Sequence, residues 1–168
     1  MKIILISGNG VGAGKTYLAN RLGDVVMSHA TPLRQELADQ YPQHKELFFS
    51  KDQAAKDMVL DDVGGQTVRQ TMVAYGQHKC KDEPAYWAMR LAQAIDEFRE
   101  SEIKFGITLQ NCLAVDDLRK MCELEHLRAR FPNLLHLHVW YDKAIPEQQY
   151  DGDKLQAAAD YVIRRSNN

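Results

Sequence analysis

The sequence lacks the long apolar segments and the cysteine patterns that mark membrane and secreted proteins. Its first apolar run, residues 3–6, is far shorter than the roughly 20 residues of a membrane-spanning helix. A glycine-rich segment follows that run directly, where a signal peptide would have a cleavage site. The three cysteines, at positions 80, 112 and 122, include no Cys-x-x-C pair, which predicts free thiols and no disulfide framework. We therefore expect a cytoplasmic protein without membrane attachment.

The sequence also lacks an excess of basic residues. Lys and Arg number 21 against 23 Asp and Glu, which gives a formal net charge of -2. Proteins that bind along the DNA backbone usually have a strong basic excess, so DNA is possible as a substrate but is not favoured. Apolar residues make up 45% of the chain and charged residues 26%, a composition that can build a packed core. The length of 168 residues predicts a single domain over residues 1–168.

Apolar runs alternate with stretches of helical spacing along the chain. Residues 2–7 form a near-continuous apolar run, typical of a central parallel strand that is buried on both faces. Further strands are predicted at 112–116, 134–140 and 159–163. Helices are predicted at 15–29, 31–41, 67–80, 84–100 and 117–130, with a less regular, flexible segment at 42–66. Strands that alternate with helices indicate an α/β fold with a mostly parallel sheet.

The strongest chemical signal is the glycine-rich segment between the first strand and the first helix. Glycines let backbone amides approach phosphate oxygens closely, and the N-terminus of the next helix adds a favourable dipole. Lys15 is placed to reach the β- and γ-phosphates of ATP, and Thr16 is placed to bind Mg²⁺. The predicted phosphate-binding residues are Gly8, Asn9, Gly10, Val11, Gly12, Ala13, Gly14, Lys15, Thr16 and Tyr17.

This loop departs from the pattern G-x-x-x-x-G-K-T at its first position, where Asn9 stands in place of glycine. Asparagine adopts left-handed backbone conformations more readily than most other residues, so the loop can still form. The alternative is that Gly8 takes the role of the first glycine and the loop has one extra residue. The sequence leaves both alternatives open.

Two carboxylates are adjacent at the end of the strand predicted at 112–116: Asp116 is its last residue, and Asp117 follows directly. A carboxylate at the end of a neighbouring strand lies beside the phosphate loop in sheets of this class, where it can hold Mg²⁺ or orient the attacking group. Either residue could instead cap the helix predicted to follow. Both roles can be filled together, with Asp116 slightly favoured for the metal.

Two histidines, His136 and His138, alternate along the strand predicted at 134–140 and so share one face. No third candidate ligand is near them in sequence. We therefore interpret them as packing or surface residues and not as a zinc site.

These motifs together resemble a known family. Residues 2–8 followed by Gly14-Lys15-Thr16 are similar to the opening strand and loop of the P-loop deoxynucleoside monophosphate kinases of large DNA bacteriophages, and more broadly of adenylate-kinase-like nucleotide kinases. Other similar segments are residues 31–38, Arg69 with Gly76, Lys81 with Tyr86-Trp87, Asp117-Leu118-Arg119 with Glu123, and residues 159–163. The resemblance implies a three-layer P-loop NTPase fold, with a mostly parallel sheet flanked by helices. It also implies a small helical lid and acceptor region at about residues 31–66 and 67–100.

The resemblance further implies a reaction: ATP- and Mg²⁺-dependent transfer of the γ-phosphoryl group to a deoxynucleoside 5′-monophosphate, giving the diphosphate and ADP. The catalytic residues would be Lys15, Asp116, Asp117, Arg119, Lys81 and Arg90. The acceptor-binding residues would be Leu33, Arg34, Arg69 and Trp87, and the metal ligands Thr16 and Asp116. The partners would be small nucleotides, and the enzyme would be a monomer or homodimer in the cytoplasm, the host cytoplasm if a phage encodes it.

Two alternative functions stay open. The first keeps the kinase chemistry but transfers the phosphoryl group to a hydroxyl, on a hydroxymethyl base in DNA or on a small metabolite. Asp116 or Asp117 would then serve as the general base that a hydroxyl acceptor requires. The second is a non-catalytic nucleotide-binding module. A GTPase would carry an Asn-Lys-x-Asp motif, and the sequence contains none.

Overall fold

The central strand, β1 (Lys2–Gly8), is apolar on both of its faces. Ile3 and Leu5 pack into one hydrophobic core, whereas Ile4 and Ile6 pack into another. Successive residues of a strand point to opposite faces of the sheet, so a continuous apolar run needs cover on both sides. The segment therefore forms the middle of a layered fold.

A computed structural model describes residues 1–104, 112–145 and 151–166. The strands are β1, β2 (Val25–Ser28), β3 (Val59–Leu60), β4 (Gln66–Thr67), β5 (Cys112–Leu118), β6 (Leu135–Trp140) and β7 (Tyr161–Arg164). The helices are α1 (Lys15–Leu22), α2 (Ala30–Gln40), α3 (Lys45–Phe49), α4 (Gln53–Lys56), α5 (Val68–Asp82), α6 (Tyr86–Lys104), α7 (Met121–Arg130) and α8 (Gly152–Ala157). Short 3-10 turns occur at Pro42–His44 and Asp61–Val63.

Five strands form one sheet in the order β2-β5-β1-β6-β7, and all its pairs are parallel. Ala19 of α1 belongs to the core on one face, while Ile95 of α6 and Leu124 of α7 belong to the core on the other. Parallel neighbours need crossover connections, and helices supply them here. The predicted α/β fold, a parallel sheet flanked by helices in three layers, is confirmed.

The chain divides into two compact units, one formed by Met1–His29 with Ala88–Asn168 and the other by Ala30–Trp87. The first unit contains the five-stranded sheet. The second unit is mainly helical, with β3 and β4 paired antiparallel, and has a core of its own that includes Leu37 and Phe48. The segment predicted to be irregular, 42–66, is built from short helices, turns and strands. The single kinase-like domain, with its lid and acceptor regions, stays a prediction.

The helix predicted over 15–29 is wrong in its second half. Helix α1 ends at Leu22, and Val25–Ser28 forms β2. Gly23 leaves the helix with extended backbone angles, and a Cβ on it would lie 2.6 Å from the Cβ of Ala114. The close passage of the chain over β5 thus requires glycine, and the β-branched residues that follow pair with β5 as an edge strand.

The three cysteines are half-buried and form no disulfide with one another, as the sequence predicts. In the part of the chain that the structure describes, no helix is both long enough and apolar enough to cross a membrane.

Candidate functional site

The glycine-rich loop lies at the carboxyl end of β1 and leads into α1. A Cβ on Gly8 would lie 3.1 Å from both Lys15 Cγ and the Val139 carbonyl oxygen, so the close packing of the loop against the sheet favours glycine there. Gly14, the N-cap of α1, has a φ of 104°, which also favours glycine. Lys15 therefore opens α1, where backbone amides and the helix dipole favour an anion. Tyr17, the last predicted phosphate-binding residue, is 68% exposed.

The side chain of Asn9 fastens the start of the loop to the residue after β6. Its Nδ2 donates to the Tyr141 carbonyl oxygen at 2.9 Å, and its Oδ1 accepts from the Tyr141 amide at 3.1 Å. Among the described non-glycine residues, positive φ occurs at Asp117 and not at Asn9. Of the two alternatives that the sequence leaves open, the one with a left-handed Asn9 is therefore wrong. Asn9 holds the loop through its side chain, and Gly8 takes the close-packed position.

Two side chains of the loop contact two adjacent carboxylates of β5. Thr16 Oγ1 donates to Asp116 Oδ2 at 2.7 Å, and Lys15 Nζ lies 3.7 Å from Asp117 Oδ1. Arg119 adds a second cation, because its Nε donates to Asp117 Oδ2 at 3.0 Å. The structure therefore brings together, within the first unit, the predicted site residues Lys15, Thr16, Asp116, Asp117 and Arg119.

A bulge in β5 aims both carboxylates at the loop. The pairing of β5 with β1 sets Leu5–Ser7 against Val115–Leu118, so β5 contains one extra residue over this stretch. Asp117 has a φ of 65° within it, a left-handed conformation that costs roughly 1 kcal/mol outside glycine. In a regular strand Asp116 and Asp117 would point to opposite faces. The bulge changes that alternation, as bulges next to active sites often do.

The helix-capping interpretation of the Asp116–Asp117 pair is wrong. Helix α7 begins at Met121, later than the predicted 117. Glu123 Oε2 accepts from the two amides that precede the helix, both at 3.0 Å, and Asp151 Oδ2 accepts from the Met121 amide at 2.9 Å. These other carboxylates accept hydrogen bonds from the backbone amides at the start of α7. Asp116 and Asp117 therefore do not cap this helix, and they contact the loop instead.

The Thr16–Asp116 pair fits a magnesium site. Asp116 is 7% exposed, and its Oδ1 is buried with no hydrogen-bond partner among the described residues. A buried carboxylate oxygen without a partner is costly, and a bound cation would remove that cost. Mg²⁺ prefers oxygen ligands and commonly takes only one or two from the protein. No cluster of three or more His, Cys, Asp or Glu side chains suited to a metal occurs within the described ranges.

Next to the loop, Ser7 of β1 contacts both histidines of β6. Its Oγ lies 2.7 Å from His136 Nε2 and 2.9 Å from His138 Nδ1, and all three residues are fully buried. The hydroxyl has a single proton, so at most one ring accepts from Ser7 and at least one ring donates to it. Both rings can therefore stay neutral, in the packing role expected from the sequence.

Burial lowers the pKa of both histidines to about 4, and the nearby Lys15 cation adds to this effect at His138. In the unfolded chain a histidine has a pKa of about 6.5. As the pH falls below that value, the unfolded chain takes up protons before the folded protein does. The stability contributed by the neutral rings is therefore complete above about pH 6.5 and is lost progressively towards pH 4.

We expect the Tm of the protein to fall between pH 6.5 and 4, and the double variant His136→Gln/His138→Gln to show a shallower fall. Glutamine does not titrate, so the variant removes the linkage. Melting curves followed by circular dichroism across this range test the prediction. The exposed His78 provides a control, because His78→Ala should leave the slope as in wild type. An unchanged slope in the double variant would contradict the assignment.

The predicted acceptor-binding residues lie in the second unit: Leu33 and Arg34 on α2, Arg69 on α5, and Trp87 near the start of α6. The indole N–H of Trp87 donates to the Gly76 carbonyl oxygen at 3.2 Å. A Cβ on Gly76 would lie 2.9 Å from Leu33 Cδ1. Leu33, Gly76 and Trp87 therefore pack closely together.

The predicted cations of the acceptor region differ in their surroundings. The Nε of Arg34 is buried and has no hydrogen-bond partner in the described part of the chain, whereas Arg69 is half exposed and lies 3.7 Å from Asp57. Arg34 thus has unmet hydrogen-bonding capacity that suits an anion. Lys81 is exposed on α5, and Arg90, in the first unit, donates to a glutamine of its own helix at 2.7 Å.

A polar cluster around Glu36 in the second unit was not predicted from the sequence. Its carboxylate accepts from the hydroxyls of Tyr75 at 3.0 Å and Tyr86 at 2.8 Å, and Lys79 Nζ lies 3.7 Å from it. The Lys79 ammonium also lies 5.4 and 5.2 Å from the two ring centroids. Tyr75 and Lys79 are four residues apart on one helix, a spacing that can be paired from the sequence. Glu36 and Tyr86 come from other helices, so no local signal joins them.

His29, which follows β2, was missed as well. It is buried, and both its ring nitrogens lack hydrogen-bond partners among the described residues. Its backbone amide donates to the Asp116 carbonyl oxygen at 3.4 Å. A single histidine between two small residues gives no sequence signal of this position beside a predicted metal ligand.

No protein-family model and no curated protein matches the chain. Among solved structures, the crystal structure of TT1252 from Thermus thermophilus is similar to it, with a TM-score of 0.46 and 15% sequence identity. The similarity covers 99% of this chain and 90% of that one. The fold assignment accordingly rests on the strands and helices described above, and the function has to be argued from the geometry of the loop and its carboxylates.

Proposed function

We propose that the chain is an ATP- and Mg²⁺-dependent phosphotransferase that phosphorylates a deoxynucleoside 5′-monophosphate. The observation that carries this proposal is the contact of Thr16 with Asp116 and of Lys15 with Asp117 at the carboxyl end of the parallel sheet. Open parallel sheets bind ligands at this edge. A lysine for the phosphates, and a hydroxyl and a carboxylate for the metal, are the parts that phosphoryl transfer from ATP requires.

In the proposed reaction the loop amides and Lys15 bind the β- and γ-phosphates of ATP. An oxygen of the acceptor phosphate forms a bond to the γ-phosphorus, and the bond from that phosphorus to the bridging oxygen of ADP breaks. Negative charge then develops on the departing ADP. Lys15 and Arg119, both held by Asp117, stabilise this charge because they are in place before the reaction begins.

Thr16 and Asp116 are the residues that would hold the magnesium ion. When bound, Mg²⁺ neutralises part of the phosphate charge and orients the phosphate oxygens. Asp117 has a separate task, because it positions two cations through its own carboxylate. The two aspartates therefore act on different parts of the donor.

The acceptor needs binding and orientation but no general base, since its 5′-phosphate is already an anion. Arg34 is the best candidate to bind it, because its buried Nε has no hydrogen-bond partner among the described residues. Leu33, Arg69 and Trp87 are proposed for the acceptor on the strength of the family resemblance. That resemblance also supplies the deoxynucleoside monophosphate as the acceptor class.

Coupled measurement of ADP release, with ATP and Mg²⁺, tests the proposal. The acceptors are the common deoxynucleoside and ribonucleoside monophosphates, together with unmodified and hydroxymethyl-base DNA. We expect turnover with one or a few deoxynucleoside monophosphates. Transfer to DNA alone would keep the kinase chemistry but move the acceptor to a hydroxyl. ATP binding without ADP release on any acceptor would contradict the proposal and favour a non-catalytic binding module.

Replacing Arg34 with alanine is expected to raise the KM for the acceptor by about 10- to 100-fold, the effect of losing one charge-assisted hydrogen bond to an anion. The KM for ATP should change little. Arg69→Ala provides the comparison in the same unit, and its effect should be smaller because Arg69 already lies near Asp57. Equal increases in both KM values of Arg34→Ala would reject the acceptor role.

A further inference from the structure

An arginine from the end of the chain contacts the middle of the phosphate loop. Arg165 follows β7, and its amide donates to the Trp140 carbonyl oxygen at 2.9 Å, which places it at the carboxyl edge of the sheet. Its Nη1 donates to the Gly12 carbonyl oxygen at 3.0 Å. Its guanidinium carbon lies 4.3 Å from the centroid of the Tyr141 ring. None of the phosphate-loop predictions includes this residue.

Tyr141 links two of the contacts that hold the loop, whose Val11 also exchanges two backbone hydrogen bonds with Ile145, both at 2.9 Å. Its backbone is fixed by both polar atoms of the Asn9 side chain, at 2.9 and 3.1 Å. Its ring carries the guanidinium of Arg165, an arrangement that suits the planar side chain of arginine. The start of the loop, at Asn9, and its middle, at Gly12, are therefore attached to the same residue.

We propose that Arg165 is a positioning residue that orients the Gly12–Ala13 peptide for binding the phosphates of the donor. Carbonyl and amide point in opposite directions across a trans peptide, and the described residues contain no cis peptide. Holding the Gly12 carbonyl towards Arg165 therefore turns the Ala13 amide away from it. Gly12 has a φ of 82°, and a glycine loop would otherwise sample many peptide orientations. Fixing one orientation in advance strengthens anion binding, because less freedom is lost when the ligand arrives.

Isothermal titration calorimetry with Mg²⁺-ATP and with inorganic tripolyphosphate tests this inference, which rests on the proposed function only in that the loop binds phosphates. Arg165→Ala should weaken the binding of both ligands by about tenfold, because the Gly12–Ala13 peptide then has to be ordered when the ligand binds. Arg165→Lys should recover part of the affinity, because lysine can donate to Gly12 but cannot stack as a plane. Arg164→Ala is the matched control: it removes the same charge at an exposed neighbour and should leave both Kd values unchanged.

Two variants of Tyr141 test the contact between its ring and the guanidinium of Arg165. Tyr141→Phe keeps the ring and should bind both ligands as wild type does, whereas Tyr141→Leu removes the ring and should weaken both in the same direction as Arg165→Ala. The Asn9 contacts go to the backbone of residue 141, so they are available in either variant. Equal Kd values for Tyr141→Leu and wild type would overturn the role given to the ring.

Other outcomes would overturn the inference as a whole. Weaker binding of ATP with unchanged binding of tripolyphosphate would mean that Arg165 acts on the nucleoside and not on the loop. An equal loss in Arg164→Ala would mean a general effect of charge, and a lower Tm with unchanged Kd values would mean a structural role alone. If wild type binds tripolyphosphate but transfers no phosphate from ATP, the proposed function fails. The positioning role of Arg165 is then still tested by the tripolyphosphate Kd values of its variants. If wild type binds neither ligand, both proposals fail.

Discussion

Replacing Lys15 with alanine is expected to lower the rate of phosphoryl transfer by about 100- to 1,000-fold, the usual effect of removing one prearranged charge-stabilising group. Lys15 is buried, and its ammonium donates to the Gly10 carbonyl oxygen at 2.9 Å while it lies 3.7 Å from Asp117. These contacts hold the charge in the loop before any ligand binds. Initial rates of ADP release at saturating acceptor give the measurement.

The same variant should keep its fold, because Asp117 retains its hydrogen bond from Arg119. A thermal melt of Lys15→Ala checks this expectation. Lys2→Ala is the matched control, since Lys2 is exposed at the start of β1, the end of that strand opposite the loop. It should turn over at the wild-type rate. Wild-type turnover by Lys15→Ala, or an equal loss in Lys2→Ala, would reject the phosphate-loop assignment.

The variants Asp116→Asn and Asp117→Asn are expected to lose activity in different ways. Asp116→Asn should raise the Mg²⁺ concentration needed for half-maximal activity by about 10- to 100-fold, because the proposed ligand of the ion loses its charge. Asp117→Asn should lower kcat by about tenfold with an unchanged Mg²⁺ requirement, because Lys15 and Arg119 lose the charge that positions them. Magnesium activation curves for both variants separate the two effects.

Each aspartate variant also serves as the control for the other. Asparagine tolerates the left-handed conformation of Asp117 about as well as aspartate does, so Asp117→Asn removes charge without adding backbone strain. Asp116→Asn likewise preserves the side-chain shape beside Thr16. Identical small losses in both variants, with one common Mg²⁺ requirement, would contradict the separate roles proposed for these residues.

Local sequence patterns predicted the elements whose signals lie within a few residues of each other. The apolar run of β1 and the spacing of apolar residues in α6 depend on nearest neighbours in the strand and helix, so both were found. The end of α1 was missed, although Gly23 is visible in the sequence. A glycine can lie within a helix or end one, and here the close passage of residue 23 over Ala114, far along the chain, requires a glycine at the point where the backbone becomes extended.

The site was predicted in its composition but not in its geometry. The Gly-Lys-Thr motif identifies Lys15 and Thr16, because a loop between a strand and a helix depends on contiguous residues. The separate contacts of Asp116 and Asp117 depend on a bulge, and a bulge is defined by the pairing register of β5 with β1. Register is a property of two distant segments, so neither strand specifies it alone.

By itself the sequence determined an α/β chain with a parallel sheet and a glycine-rich loop after its first strand, because hydrophobic periodicity and glycine spacing act over short distances. The tertiary structure decided which aspartate contacts which loop side chain, and it left Asp116 with a buried oxygen that suits a cation. It also brought Arg165 to Gly12 from the other end of the chain. Such contacts arise where the carboxyl ends of non-consecutive parallel strands meet at one edge of a sheet, a juxtaposition that only the folded chain creates.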